Sequence, residues 1–285
     1  MWLLFAGMVP IVDSLRNVTS KRASKRVDSL LVSWFNNLVP LVVFTPVWFI
    51  VELKLNQEFF LFATLSGIIN AAAAILYHRA IMKGDVSEVV PMTAFTPLFL
   101  LATSPIFVGE FPDWSGVTGV VLITLGSYLL NVHTREKGDV FAPLKALVRK
   151  KSTRYMLVVA FIWAFSANFD KRAIQAASVW QYIAYVNVVI VAIVTVFILT
   201  RKKINLSEIR AERGNLLLVG GFTVLAFVFQ MTALSMTLVA YVIALKRTSG
   251  MISAVLGHFI FKEERLRERL LGAAIMFAGV LFIVL

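Results

Sequence analysis

Long apolar stretches separated by short charged loops run along the whole chain. A helix that crosses the hydrocarbon core of a bilayer needs about 20 apolar residues. Ten stretches approach that length: Trp2–Val18, Leu30–Val51, Phe59–Leu76, Val86–Val108, Gly116–Val132, Tyr155–Ile174, Trp180–Thr200, Leu216–Leu234, Leu238–Phe261 and Leu270–Leu285. Apolar residues follow one another instead of alternating with polar ones, which argues against an outer-membrane barrel. The pattern predicts an all-α membrane protein with ten transmembrane helices.

Composition supports this prediction. Apolar residues make up 59% of the 285 residues and charged residues 15%, against roughly 45–50% and 25% in soluble domains. So little polar surface excludes an ordinary soluble fold and a disordered chain. Cysteine is absent, which excludes disulfide frameworks and zinc ribbons.

The cationic residues are concentrated in alternate loops. The net charge is +12, and most of the excess lies after the first, third, fifth, seventh and ninth predicted helices. These loops are Arg16–Arg26, Arg79–Lys83, Arg135–Arg154, Arg201–Arg213 and Lys262–Arg269. Because cationic loops stay in the cytoplasm, both termini are predicted to lie on the outer side of the membrane. We expect this membrane to be the plasma membrane, which in a prokaryote is the inner membrane. No separate basic and aromatic soluble segment points to a nucleic-acid partner.

The chain also resembles itself. A shift of 153 residues superposes four positions in order: Val86 on Val239, Glu110 on Glu263, Gly119 on Gly272 and Gly126 on Gly279. Nearer the start of each half a shift of 150 matches Lys21-Arg22-Ala23 with Lys171-Arg172-Ala173, Asn37 with Asn187 and Thr45 with Thr195. An insertion of three residues in the loop Arg201–Arg213 would account for the change of shift.

This duplication predicts two five-helix repeats, residues 1–134 and 155–285, joined by a basic linker at 135–154. An odd number of helices per repeat inserts the second copy upside down. Inverted repeats are an architecture of secondary transporters, whose substrate site lies near the midplane between the halves. We therefore expect a monomeric or homodimeric transporter of a small molecule in a lipid bilayer.

Short motifs resemble one transporter family. They are Phe107-Val108-Gly109-Glu110, Phe261-Lys262-Glu263, the glycines seven apart, Trp163-Ala164 and Asn168-Phe169-Asp170-Lys171. With these motifs the chain resembles the two-copy EamA branch of the drug/metabolite transporter superfamily. The resemblance implies ten helices in two inverted repeats and transport of small metabolites. Members of that family are commonly described with cytoplasmic termini, whereas the loop charges here favour the opposite orientation.

Lys246 and Arg247 stand in the middle of the ninth predicted span. A charge at the bilayer centre costs roughly 2.5–3.5 kcal/mol on insertion scales, so it faces an aqueous cavity or a partner. One interpretation is a site for a carboxylate or phosphate, which a guanidinium can bind with two hydrogen bonds. The alternative is an internal ion pair with one of the carboxylates of Asp13, Glu88 and Asp170.

Polar residues in the second and seventh spans are further candidates for substrate contact. Asn37 and Asn187 are related by the repeat, and an amide in a membrane needs a hydrogen-bond partner. Each could bond a neighbouring helix or approach the central cavity. Tyr185 and Tyr241 complete the predicted substrate-binding set.

Three charged residues could serve coupling or gating. Asp170 and Lys171 could neutralise each other or form part of a gate. Asp13, in a first helix that we expect to be retained because it lacks the basic start of a signal peptide, could carry a proton, since desolvation raises the pKa of a carboxyl group.

The sequence favours a secondary transporter of a small anionic or zwitterionic metabolite that works by alternating access, without a cofactor or a metal. One alternative is a flippase for a lipid or lipid precursor on the same scaffold. Another is an intramembrane enzyme in which Asp13, Asp170 and histidines meet. His78, His133 and His258 match no metal-ligand spacing, and the chain has no nucleophile elbow, so we predict a non-enzyme.

Overall fold

The structure is a computed structural model, described for residues 1–54, 56–84, 89–131, 141–201, 206–261 and 266–285. Throughout these residues the regular structure is helical. The helices are α1 (Trp2–Ala23), α2 (Ser29–Phe44), α3 (Val47–Ile50), α4 (Gln57–Lys83), a 3₁₀ segment (Val90–Phe95), α5 (Thr96–Phe107), α6 (Trp114–Asn131), α7 (Ala142–Arg149), α8 (Lys151–Ala176), α9 (Val179–Arg201), α10 (Leu206–Met236), α11 (Val239–Arg247), α12 (Ser249–Phe261) and α13 (Leu266–Val284). Val86, Glu88, His133, Lys262 and Glu263 lie outside the described residues.

Six segments of the described chain are long and apolar enough to cross a membrane. They are Ser29–Ile50, Gln57–Lys83, Val90–Phe107, Val179–Thr200, Ser207–Met236 and Val239–Leu256. Two shorter apolar helices, Trp114–Leu130 and Leu270–Val284, accompany them. With 22 and 26 residues, α1 and α8 also have the length of a span. The prediction of an all-α membrane protein is confirmed, and the count of ten transmembrane helices stays a prediction.

Two of the predicted spans are interrupted helices. The fourth begins as the 3₁₀ segment and becomes α-helical at Thr96, because Pro91 and Pro97 lack the N–H that a regular helix needs. The ninth ends as α11 at Arg247, turns at Thr248 and restarts as α12. The Thr248 hydroxyl donates to the Leu245 carbonyl at 2.7 Å, which satisfies an oxygen at the break. Phe95 and Thr248, the two break positions, are related by the shift of 153.

The helices form two compact units. The first unit is Met1–Ile75 with Phe169–Met236, and the second is Leu76–Asn168 with Thr237–Leu285. Each unit therefore takes its helices from both predicted repeats. The long helices α4 and α8 contribute residues to both units.

In the first unit, α1 and α2 pack on α10, and α2 also packs on α9. Two glycines allow close approach. A Cβ atom at Gly67 would lie 2.7 Å from the Cβ of Val189, and one at Gly220 would lie 2.3 Å from the Cβ of Val39. The shift of 153 takes Gly67 to Gly220, and the shift of 150 takes Val39 to Val189. The same contact therefore occurs twice in this unit, once from each half of the chain.

In the second unit, α6 and α13 pack along each other with their backbones in contact. A Cβ at Gly119 would lie 2.7 Å from the carbonyl oxygen of Gly279, and one at Gly126 would lie 2.6 Å from that of Gly272. The reverse contacts, from Gly279 to Gly119 and from Gly272 to Gly126, are both 2.7 Å. The two helices are therefore antiparallel, with positions related by the shift of 153 exchanged across the contact.

Candidate functional site

Lys246 and Arg247 form the last turn of α11, at the break in the ninth predicted span. Both side chains are half-buried, and the residues before them, 242–245, are buried. The carboxyl end of a helix carries a partial negative charge, which favours cations there. A helix that ends inside a membrane-spanning segment thus brings two cations to one place, at the negative end of its dipole.

An aromatic ring of α8 faces one of these cations. The guanidinium carbon of Arg247 lies 5.9 Å from the centre of the Trp163 ring, within the range of a cation–π interaction. The Trp163 ring in turn lies 6.1 Å from the ring of Tyr77. The Arg247 side chain is thus in contact with α8 through the Trp163 ring.

Tyr241 lies at the opposite end of α11, five residues before Lys246. Its hydroxyl donates to a carboxylate oxygen of Asp113 at 3.1 Å, while the backbone N–H of Val239 donates to the Glu110 carboxylate at 2.7 Å. Carboxylates at the amino end of a helix complement its partial positive charge. Since α11 rises about 1.5 Å per residue, Tyr241 and Lys246 are about 7.5 Å apart along its axis. The role of Tyr241 in substrate binding stays a prediction.

Asp113 is exposed and caps the start of α6. It accepts a hydrogen bond from the backbone N–H of Gly116 at 2.8 Å. This bond, followed by the bond from Tyr241, lowers the pKa of the Asp113 carboxyl group below its ordinary value. The ionised carboxylate therefore joins the beginnings of α6 and α11.

Asn37 and Asn187 make the same local hydrogen bond. The amide nitrogen of each donates to a carbonyl one turn earlier, Asn37 to Ser33 at 2.9 Å and Asn187 to Ile183 at 2.7 Å. Asn37 is half-buried, whereas Asn187 is 0% exposed and its side-chain oxygen has no hydrogen-bond partner. A buried amide oxygen without a partner is rare in native proteins, which makes Asn187 a candidate for contact with a ligand.

Tyr185 lies among aromatic rings in the first unit. Its hydroxyl is 2.9 Å from the hydroxyl of Thr64. The ring makes edge contacts with Phe59 and Phe60, each with ring centres 5.5 Å apart, and with Trp48 at 6.3 Å. The hydroxyl is thus fixed by a polar contact and the ring by apolar ones.

Asp170 accepts hydrogen bonds from two other helices. The hydroxyl groups of Ser66 on α4 and Tyr182 on α9 both donate to its Oδ1 atom. The Asn70 amide donates to the Ser66 oxygen at 3.1 Å. Asp170 is 6% exposed, so a network of side chains joins three helices around a buried carboxylate.

Lys171 and Asp13 have partners in the first unit as well. The Lys171 ammonium group donates to the backbone carbonyl of Leu234, near the end of α10, at 2.5 Å. Asp13 is buried and lies 3.0 Å from the guanidinium group of Arg16, one turn further along α1. The Asp13 pair is thus local to one helix, whereas Asp170 and Lys171 each contact another helix.

The predicted site residues fall into both units. Lys246, Arg247 and Tyr241 belong to the second, and the first contains the remaining six: Asp13, Asn37, Asp170, Lys171, Tyr185 and Asn187. Sequence reasoning gave no site role to Trp163 or Ser66. Ser66 and Asn70 are four residues apart in an apolar helix, a spacing that places them on one face. That signal could have identified the Asp170 network.

Comparison with known proteins identifies the family of this chain. The model of the EamA-like transporter family matches twice, at residues 1–132 and 152–285. The two matches correspond to two repeats, as the sequence predicts.

Individual proteins also resemble this chain. One solved structure, titled only "Crystal structure of protein", is 13% identical, with a TM-score of 0.78 over 99% of this chain and 96% of that one. An uncharacterized protein of Methanocaldococcus jannaschii is 30% identical over 77 residues, which are 27% of this chain and 56% of that protein. The chain thus spans little more than half of this relative.

The family matches and the long apolar helices lead to the same conclusion about the class of this protein. The chain is a multi-pass integral membrane protein. Its family consists of membrane transporters of the drug/metabolite kind. It belongs to the EamA-like transporter family.

Proposed function

We propose that this protein is a secondary transporter of a small anionic or zwitterionic metabolite and works by alternating access. The observation that carries the proposal is the break at Thr248, which ends α11 with the half-buried cations Lys246 and Arg247. Interrupted helices at corresponding positions of two halves are the feature from which transporter substrate sites are best located. The second break, at Phe95, lies at the corresponding position.

The chemistry of the break fits a substrate with a carboxylate or phosphate. Arg247 supplies a planar group that can donate two parallel hydrogen bonds, and Lys246 supplies a compact charge. Trp163 supports the guanidinium carbon from one side.

The repeat architecture supports alternating access. The reciprocal glycine contacts of α6 with α13, and the paired contacts of Gly67 and Gly220, have the form that two inverted copies would give. In transporters built in this way, one repeat or bundle moves against another around a fixed site. The loop charges favour a plasma membrane with both termini outside.

Asp170 is the coupling residue that we propose. A buried carboxylate shared by three helices can change the packing of all three when it gains or loses a proton. Asp13, paired with Arg16 in its own helix, offers a matched control. Asp170→Asn should make uptake independent of pH, whereas Asp13→Asn should keep the pH profile of the natural protein.

Uptake by proteoliposomes tests the substrate site. A library of metabolites is first screened for thermal stabilisation of the purified protein, because a ligand of the native state raises its apparent stability. Uptake of the best ligand is then measured for the double variant Lys246→Ala/Arg247→Ala. Since loss of a buried charge partner costs about 2 kcal/mol or more, uptake should fall at least thirtyfold.

Controls separate the site from the fold. Arg247→Lys keeps the charge and loses the planar group, so it should show an intermediate rate. Lys21→Gln/Lys25→Gln removes two exposed charges elsewhere and should leave uptake unchanged. Undiminished uptake by the double alanine variant would refute the site, and movement of labelled phospholipid instead of metabolite would favour a flippase.

A further inference from the structure

The short helix α7 separates its apolar and basic residues. With 100° between successive residues, Leu144 and Val148 share one face with Phe141, the residue directly before the helix, while Lys145 and Arg149 share the adjacent face. Phe141 and Val148 are 63% and 84% exposed. A short helix with an exposed apolar face and a basic flank is typical of segments that lie in the membrane interface.

The first two turns of α8 continue this surface. Lys151, Arg154, Tyr155 and Val158 line a shallow groove along one side of the helix. They follow one another at intervals of three, one and three residues, so they share one helix face. The groove is basic at its start and becomes apolar at Val158, which is exposed.

The position of the two cations is unfavourable without a partner. Lys151 and Arg154 stand in the first turn of α8, where the partial positive charge of the helix end repels cations. A bound anion would remove that repulsion. Because α8 has the length of a membrane span, we expect it to cross the bilayer, which would place the groove where the polar headgroups meet the hydrocarbon.

We propose that α7 and the start of α8 bind the headgroup of an anionic phospholipid. The phosphate contacts Lys151 and Arg154, the hydroxyl of Tyr155 donates to it, and an acyl chain passes Val158. The apolar face of α7 enters the same leaflet, with Lys145 and Arg149 at the headgroup level. This order of basic, aromatic and apolar side chains fits a lipid better than a soluble phosphate, which has no use for the exposed apolar face.

Lipid binding to the full-length protein in detergent tests this proposal. Phosphatidylglycerol and phosphatidylcholine with identical acyl chains are titrated, and bound lipid is counted by native mass spectrometry. Each basic residue near an anionic surface contributes about a fivefold factor in affinity, so Lys151→Gln/Arg154→Gln should weaken phosphatidylglycerol binding about 25-fold. The matched control Lys21→Gln/Lys25→Gln also loses two exposed basic residues and should bind as the natural protein does.

Two further measurements distinguish a lipid headgroup from free phosphate, and a loss of lipid binding from a loss of folding. Inorganic phosphate should leave the melting temperature unchanged, whereas phosphatidylglycerol should raise it for the natural protein and not for the double variant. Without lipid, both proteins should melt alike, because the substituted side chains are exposed. Equal affinity of the double variant for phosphatidylglycerol, equal binding of phosphatidylcholine, or stabilisation by inorganic phosphate would each overturn the proposal.

Discussion

Two helix contacts, one in each compact unit, are made in different ways. In the second unit, the contact of α6 with α13 is made by backbone atoms, with four glycines at its closest points. In the first unit, α4, α8 and α9 are joined around Asp170 by the side chains of Ser66 and Tyr182. One contact is thus made by close packing, the other by hydrogen bonds.

This difference has consequences for what each contact can do. Between membrane helices the surrounding lipid removes most of the hydrophobic driving force, so close packing and interhelical hydrogen bonds carry association. The glycine contact has one arrangement, because any side chain would separate the helices. A hydrogen-bonded carboxylate can change its protonation state or its partners without loss of volume. We therefore expect the Asp170 network to be able to change its arrangement and the contact of α6 with α13 to stay fixed.

The largest expected effect is the loss of the glycine contact. Gly126→Ala places a Cβ 2.6 Å from the backbone oxygen of Gly272, and this oxygen cannot move without α13. Overpacking of a tight contact costs typically 1–3 kcal/mol and occasionally more, so we expect a loss of about 3 kcal/mol. Thermal melting of the purified protein measures it.

Gly221→Ala is the matched control for that variant. Gly221 also lies inside a long helix, but a Cβ there meets no atom within 4 Å. Because alanine favours a helix over glycine by about 1 kcal/mol, this variant should melt at the same temperature as the natural protein or higher. If both alanine variants melted alike, the close contact of α6 and α13 would be disproved.

A smaller effect is expected when the polar network of the first unit is broken. Asp170→Ala leaves the hydroxyl groups of Ser66 and Tyr182 without their acceptor, and a buried unsatisfied group costs about 1–3 kcal/mol. We expect a loss of about 2 kcal/mol. Asp170→Asn keeps an oxygen in place and should lose less than about 1 kcal/mol. If Asp170→Ala and Asp170→Asn had equal melting temperatures, the hydrogen bonds to Asp170 would not contribute to the stability of the protein.

Much of this architecture could be predicted from the sequence. The apolar stretches follow from the thickness of the bilayer, and the glycines seven apart are visible without a structure. Their spacing marks one face of a helix but does not identify the partner, which for Gly126 is Gly272. The breaks were harder to predict. Pro91 and Pro97 signal the first, whereas at Thr248 the only signal is the Lys246–Arg247 pair.

The site could be predicted only in part, for a physical reason. Asp170 was identified because a charge in an apolar stretch is expensive. Its partner Ser66 is 104 residues away in the chain, and a single serine in an apolar helix carries no such signal. The spacing of Ser66 and Asn70 marks a polar face of α4, but it does not identify Asp170 as the residue that packs on this face.

A third prediction concerns Asn187, whose buried oxygen has no partner. Asn187→Leu removes an unsatisfied acceptor and keeps the side-chain volume, so stability should change by less than about 1 kcal/mol. If the oxygen serves a substrate, uptake should fall at least tenfold, the effect of losing about 1.4 kcal/mol of binding energy. Asn37→Leu is the comparison within the repeat, and normal uptake by the Asn187 variant would show that this oxygen has no part in transport.

The smallest expected effect is electrostatic and belongs to the second unit. The hydrogen bond from the Gly116 backbone lowers the pKa of Asp113 in the folded protein. The ionised carboxylate therefore stabilises the fold above its unfolded pKa of about 3.9, and this contribution disappears as the pH falls through the lower folded value. Asp113→Asn keeps an acceptor for Gly116 and has no charge to lose. The melting temperature of the natural protein should therefore exceed that of the variant slightly at pH 7, and the difference should vanish as the pH is lowered below 4. If the difference in melting temperature persisted below pH 4, the charge of Asp113 would not be what stabilises the contact between the beginnings of α6 and α11.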